Sequence, residues 1–141
     1  MIEILLVEDD PGDVLITQEA FADADNLNSN LHVVSDGLSA MDFLHKRGKH
    51  RAAVTPDLIL LDLNLPRMDG REVLVAVKAD PVLRQIPVIV LTTSETEEDL
   101  LRSYQQHANA YVHKPVDTEH FIEVIRGIDE FFVSIARLPH R

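Results

Sequence analysis

Leu58-Ile59-Leu60-Leu61-Asp62-Leu63-Asn64-Leu65-Pro66 is an apolar run that drives straight into an acid and then breaks on turn-forming residues. Four consecutive aliphatics with no polar break suit a strand buried on both faces of a parallel sheet. Similar runs lie on either side, at Ile2–Val7, Leu31–Val34, Val88–Leu91 and, more weakly, Ala110–Val112. The stretches between them carry helical spacing: Val14, Leu15, Ala20 and Phe21; Leu38, Met41 and Leu44; Val73, Leu74 and Val77; Leu100, Leu101 and Tyr104. A last stripe runs through Phe121, Val124, Ile125, Ile128, Phe131, Phe132 and Ile135. Pro11 can open the first helix, where a missing amide costs nothing. Asp80-Pro81 closes the third, because the proline ring disfavours α geometry before it. Thr96 with Asp99 forms a capping-box pattern at the start of the fourth. Strand and helix alternating five times predict an α/β fold, a (βα)5 doubly wound parallel sheet.

The chain has 141 residues, with 13 Lys+Arg against 24 Asp+Glu, so the formal charge is 13 − 24 = −11. That length suits a single domain of residues 1–141, since chains of roughly 100–200 residues usually build one core. The acid excess argues against nucleic acid or an anionic membrane as the main partner. There is no cysteine, which excludes disulfides, thiolate metal sites and cysteine nucleophiles. No apolar run approaches the roughly 20 residues that cross a bilayer, and no signal-peptide pattern opens the chain. A soluble, cytoplasmic protein is expected. The basic run Lys46-Arg47-Gly48-Lys49-His50-Arg51 reads as a solvated loop between the second helix and third strand. The seven His show no metal-ligand spacing.

In such sheets ligands sit beyond the carboxyl ends of the strands. There the first strand runs into Glu8-Asp9-Asp10 and the third into Asp62. If these strands are neighbours, Glu8, Asp9 and Asp62 converge and repel one another unless a cation lies among them. Hard oxygen ligands with room for water suit Mg²⁺. The fourth strand ends at Thr92, a hydroxyl donor, and the fifth leads into Lys114-Pro115, a compact positive charge. Such a set handles a phosphoryl group: Asp62 attacks phosphorus while Mg²⁺, Thr92 and Lys114 hold its equatorial oxygens. Three acids against Mg²⁺ and Lys114 leave the loaded pocket near neutral, able to admit an anionic donor.

These residues resemble the receiver domain of two-component response regulators. The matching segments are Leu6-Val7-Glu8-Asp9, Leu61 through Gly70 (LDLNLPRMDG), Pro87 through Thr92 (PVIVLT) and Tyr111-Val112-His113-Lys114-Pro115, in the family's order over about residues 1–127. The resemblance implies a flavodoxin-like strand order 2-1-3-4-5. It makes Asp62 the phosphoacceptor for a sensor histidine kinase, with Asp9, Asp62 and the backbone carbonyl of Asn64 as direct metal ligands and Glu8 binding the metal directly or through water. Mg²⁺ is the expected ion, for which Mn²⁺ or Ca²⁺ can substitute in crystals. Thr92 and Lys114 would bind the phosphoryl group. Tyr111 would turn inward when Thr92 moves, and moving such an equilibrium nearly completely takes about 5.5 kcal/mol of preference. Asn64 and Ser94 would tune hydrolysis, and Pro115 would follow a cis peptide bond. Gly12, Asp13, Ile16 and Pro115 would dock the kinase. The protein would not be an enzyme acting on a separate substrate, although it takes part in its own phosphorylation and slow dephosphorylation.

No output module is expected after the fifth helix, so the signal would pass through protein–protein contacts. The last helix, Asp117 to about Ala136, is longer than covering one sheet face requires, and its surplus aromatics suggest a partner surface. This helix and the tail, about residues 117–141, resemble the stand-alone regulators paired with bacterial and cyanobacterial phytochromes. That resemblance implies a homodimer through the fourth helix, fifth strand and fifth helix, with Ile128, Phe131, Phe132 and Ile135 as contacts.

Three rival readings meet specific obstacles. A phosphoaspartyl hydrolase of small phosphate esters would place its nucleophilic Asp at the first strand with a second Asp two residues on, and Glu8-Asp9-Asp10-Pro11 does not fit. A flavodoxin-like flavin carrier needs a phosphate-cradling first loop, where Glu8, Asp9, Asp10 and Asp13 would repel the phosphate. A non-phosphorylated interaction module would not need the complete set of site residues.

Overall fold

The structure, a computed structural model, describes residues 2–22, 29–92, 110–113, 119–120, 122–124 and 126–127. Five strands, β1 (Ile2–Val7), β2 (Ser29–Val34), β3 (Leu58–Asp62), β4 (Val88–Thr92) and β5 (Ala110–His113), pair in the order β2-β1-β3-β4-β5. Every pairing is parallel. Helices α1 (Pro11–Ala22), α2 (Gly37–His45) and α3 (Gly70–Ala79) connect them, and residues 119–120, 122–124 and 126–127 are helical. This is the expected doubly wound α/β sheet with its flavodoxin-like order.

Side chains alternate along the strands, so each apolar run fills two cores. Leu5, Val7, Ile59, Leu61, Val88 and Val90 pack with Ala40, Met41, Phe43 and Leu44 of α2 and Val73, Leu74 and Val77 of α3. Ile4, Leu6, Leu58, Leu60, Ile89 and Leu91 pack on the other face with Ala20 and Phe21 of α1, and Val124 leans against that cluster. The scarcity of polar breaks in β1, β3 and β4 has its cause here: Ile4–Val7, Leu58–Leu61 and Val88–Leu91 are buried on both faces of the sheet.

The boundaries refine the sequence reading. β2 begins two residues earlier, at Ser29, and β3 continues through Asp62. Leu15 and Leu38, placed among the core-facing positions of their helices, are solvent-exposed. In α1 the buried residues are Thr17, Ala20 and Phe21, and Leu15 lies two residues from Thr17, about 200° around the helix. The third helix ends as expected: Asp80 has an extended ψ of 127° before Pro81. The basic run is a solvated connection containing a 3₁₀ turn at Gly48–His50, entered through Lys46 in the left-handed region (φ 56°). The fourth helix with its Thr96–Asp99 cap, and most of the last helix, lie outside the described residues.

Candidate functional site

Register places the acids. Val7 pairs with Leu61 across β1–β3, and Asp62 pairs with Leu91 across β3–β4. Glu8, one residue beyond Val7, therefore arrives level with Asp62 at the carboxyl edge of the sheet. Glu8, Asp9 and Asp62 each offer an oxygen, all within 4.8 Å of one another. Glu8 and Asp62 are only 2% and 6% exposed, while Asp9 opens to solvent. Two buried carboxylates and one exposed one make a hard-oxygen cup that reaches solvent at Asp9. That donor chemistry fits a divalent cation that keeps part of its water, as Mg²⁺ does.

Local bonds explain why these side chains stand where they do. The Glu8 amide donates to the Val34 carbonyl at 3.0 Å, which ties the end of β1 to the end of β2. The Asp10 amide donates to Glu8 Oε1 at 3.3 Å. Asp10 leads into α1: its side chain accepts from the Gly12 amide at 3.3 Å and its carbonyl from Val14 at 3.0 Å. Glu8, Asp10 and Asp13 form a second acidic group, sharing Glu8 with the first.

Beyond Asp62 the chain makes a compact loop, residues 63–69. The Leu63 carbonyl accepts from the amides of Leu65 (3.1 Å) and Gly70 (2.9 Å), and the Pro66 carbonyl accepts from Met68 at 2.7 Å. Leu63 is fully buried, and Leu65 and Met68 lean on the α2–α3 core. Asp69 caps α3, accepting from the Arg71 amide at 3.4 Å. At Gly70 a Cβ would overlap the Asp62 carbonyl oxygen and stand 2.6 Å from Leu63 Cα, so only glycine lets α3 begin this close to the acid. Asn64 is exposed in this loop, two residues past Asp62.

The other expected site residues are placed unevenly. Thr92 ends β4, paired with His113 of β5, and Tyr111 pairs with Val90; the backbone of both therefore joins the sheet near the acids. Lys114, Pro115 with its peptide bond, and Ser94 lie outside the described residues, as do Ile128, Phe131, Phe132 and Ile135. Gly12, Asp13 and Ile16 all lie on α1, close in sequence to Leu15.

The sequence reading missed the second attachment of loop 63–69. Asp36, buried just past β2, caps α2 by accepting from the Ser39 amide at 2.7 Å and hydroxyl at 3.2 Å, and Arg67 Nη1 donates to its Oδ2 at 3.3 Å. Burial works to raise the Asp36 pKa, but the Ser39 bonds and the Arg67 charge outweigh it and hold the carboxyl below its ordinary value. Gly37 packs under the loop, where a Cβ would overlap the Met68 carbonyl oxygen. The Asp36-Gly37 pair after an apolar run was a cap signal, but its partner 31 residues away was not visible.

Residues 4–126 match the model of the response regulator receiver domain. The chain is 43% identical over 136 residues to the response regulator Rcp1 of Synechocystis sp., covering 96% of this chain and 92% of Rcp1. Among solved structures it resembles the phosphorylated cyanobacterial phytochrome response regulator RcpA, with a TM-score of 0.89, 45% identity and 98% of each chain covered. It also resembles the Mn²⁺-bound form of Rcp1, with a TM-score of 0.90, 42% identity and 99% of each chain covered. A parallel sheet in the order β2-β1-β3-β4-β5, an acidic cup at its carboxyl edge and a family match over most of the length lead to one conclusion: the chain belongs to the response regulator receiver domain family.

Proposed function

We propose that this protein is a stand-alone response regulator that takes a phosphoryl group on Asp62 from a sensor histidine kinase in a Mg²⁺-dependent reaction, and signals through protein–protein contacts. The observation that carries this is the cup of Glu8, Asp9 and Asp62, whose ligand oxygens lie within 4.8 Å of one another in a receiver-family chain. In this reading one Asp62 oxygen forms the new bond to phosphorus as the bond to the kinase's histidine nitrogen breaks. Glu8, Asp9, Asp62 and the Asn64 carbonyl hold the ion, which neutralises charge that would otherwise repel the incoming phosphoryl group. Thr92 and Lys114 bind its oxygens, Tyr111 follows Thr92, and Asn64 and Ser94 set how quickly water removes it.

The likeness to RcpA and Rcp1 favours a phytochrome-type kinase as the donor, with Gly12, Asp13, Ile16 and Pro115 in the docking surface. The wider reading is a single receiver domain of residues 1–141 in the cytoplasm. Its extended helix and tail, about 117–141, would form a homodimer through Ile128, Phe131, Phe132 and Ile135. No described helix is long and apolar enough to cross a membrane.

The deciding experiment is incubation with acetyl phosphate, with and without Mg²⁺, on the wild type and Asp62→Asn. The expected product is Mg²⁺-dependent, acid-stable, base-labile phosphate that Asp62→Asn lacks. Phosphate retained by that variant at the wild-type level would overturn the assignment. Sedimentation of Phe131→Ala and Phe132→Ala tests the dimer, and unchanged association in both would remove the tail from the interface.

A further inference from the structure

Loop 63–69 carries Asn64, and its far side is held by an unusual residue. Arg67 adopts φ 67°, in the left-handed region, where an L side chain crowds its own backbone and glycine would not. Arginine has no local reason to sit there. Its guanidinium instead reaches across to Asp36, at 3.3 Å. The same β2–α2 turn makes two more attachments: the Gly37 amide donates to the Pro66 carbonyl at 3.5 Å, and the Gly37 backbone packs against Met68. Just before it, the Val34 carbonyl accepts the Glu8 amide at 3.0 Å. One turn thus fastens both the acid that ends β1 and the loop that follows Asp62.

Resting on the functional reading above, we infer that Arg67 is a positioning residue for the metal centre: its bond to the buried Asp36 carboxylate fixes loop 63–69, and with it Asn64, relative to Glu8, Asp9 and Asp62. A divalent cation such as Mg²⁺ demands near-ideal ligand placement, so a loop free to drift would weaken binding without unfolding the domain. The strained backbone is then explained by a ligand-ordering role, not by stability.

The test measures Mg²⁺ binding to the full chain by titration calorimetry alongside metal-free thermal melting. Arg67→Gly removes the tie and relieves the backbone; Arg67→Ala removes the tie but keeps the backbone strain; Arg67→Lys keeps a cation. Arg67→Gly and Arg67→Ala are expected to weaken Mg²⁺ binding about threefold to tenfold, the scale for losing a half-buried ion pair that orients a ligand. Arg67→Lys should recover much of that loss, and metal-free Arg67→Gly should melt no lower than the wild type. Wild-type affinity in both Gly and Ala variants overturns the inference, as does a fall in melting temperature that parallels the loss of affinity. A wild type that binds no Mg²⁺ would instead overturn the functional reading on which it rests.

Discussion

Val7 and Leu61 face one another across the β1–β3 ladder, and that pairing brings the Glu8 and Asp62 carboxylates to the same level with Asp9 alongside. A slip of one residue would send the side chains of β3 to opposite faces and scatter the acids. Because both strands are buried on both sides, the register is held by the two cores rather than by the acids, whose mutual repulsion opposes it.

That opposition is measurable. Asp62→Asn removes one of three carboxylates within 4.8 Å, and near a protein surface such a contact costs about 1–3 kcal/mol. Metal-free Asp62→Asn is therefore expected to melt above the metal-free wild type. Saturating Mg²⁺ should reverse the order, since a ligand at 100 times its Kd stabilises the folded state by about 2.7 kcal/mol and the variant has lost a ligand. Calorimetric scans in chelator and in Mg²⁺ check this; a variant that melts lower in chelator would show that the cluster is not strained by its charge.

Glycines report how closely the loops approach. Gly70→Ala would drive a methyl into Asp62 and Leu63, and Gly37→Ala would drive one into Met68. Each is expected to lower stability by about 1–3 kcal/mol or to displace loop 63–69. Gly12 has only ordinary contacts, the nearest at 3.8 Å from Asp10 Oδ1. Gly12→Ala in α1 should therefore be neutral or stabilising by up to about 1 kcal/mol. Urea unfolding of the three variants separates the cases, and equal effects at all three sites would contradict the packing described here.

The pattern of legibility has a physical origin. β1, β3 and β4 could be read because burial on both faces leaves apolar runs of four residues or more, Ile4–Val7, Leu58–Leu61 and Val88–Leu91, and the acids could be read because they stop the first two abruptly. The first helix was harder: Val14, Leu15, Ala20 and Phe21 are all apolar, and only the packed structure shows that Thr17 turns inward while Leu15 does not. The tie between Asp36 and Arg67 has no periodicity. It joins two loops 31 residues apart, and nothing local in either segment announces it.

Asp36 also predicts an acid response. Its folded pKa lies below the ordinary 3.8 despite burial, because of the Ser39 bonds and Arg67. A carboxyl with a depressed folded pKa contributes stability that is full above its unfolded pKa and is lost as pH falls through the folded one. Asp36→Asn, which can still accept at the helix cap, is expected to cost about 0.5–1.5 kcal/mol at neutral pH. The difference from wild type should shrink below about pH 4, the ordinary carboxylate range. Asp80 is also held low, by the Leu83 and Val82 amides, so the acid limb of the wild type alone does not isolate Asp36. The difference curve does, and one that stays flat down to pH 3 would remove Asp36 from the acid response.

Leu15 offers a separation of docking from chemistry. It is 55% exposed on α1, three residues from Gly12, a candidate for kinase contact that lies on the same side of the helix. Truncating an exposed leucine changes stability by no more than about 0.5 kcal/mol, and the acidic cup is left untouched. Leu15→Ala should therefore accept phosphate from acetyl phosphate at the wild-type rate, because that small donor needs only the cup. Transfer from a phosphorylated histidine kinase should slow several-fold, since burying the side chain's apolar surface against the kinase is worth about 1 kcal/mol even when only part of it is desolvated. The expected signature is a split between the two donors. Equal rates from both would place the kinase on another face, and equal losses from both would mean that α1 influences the phosphorylation site itself.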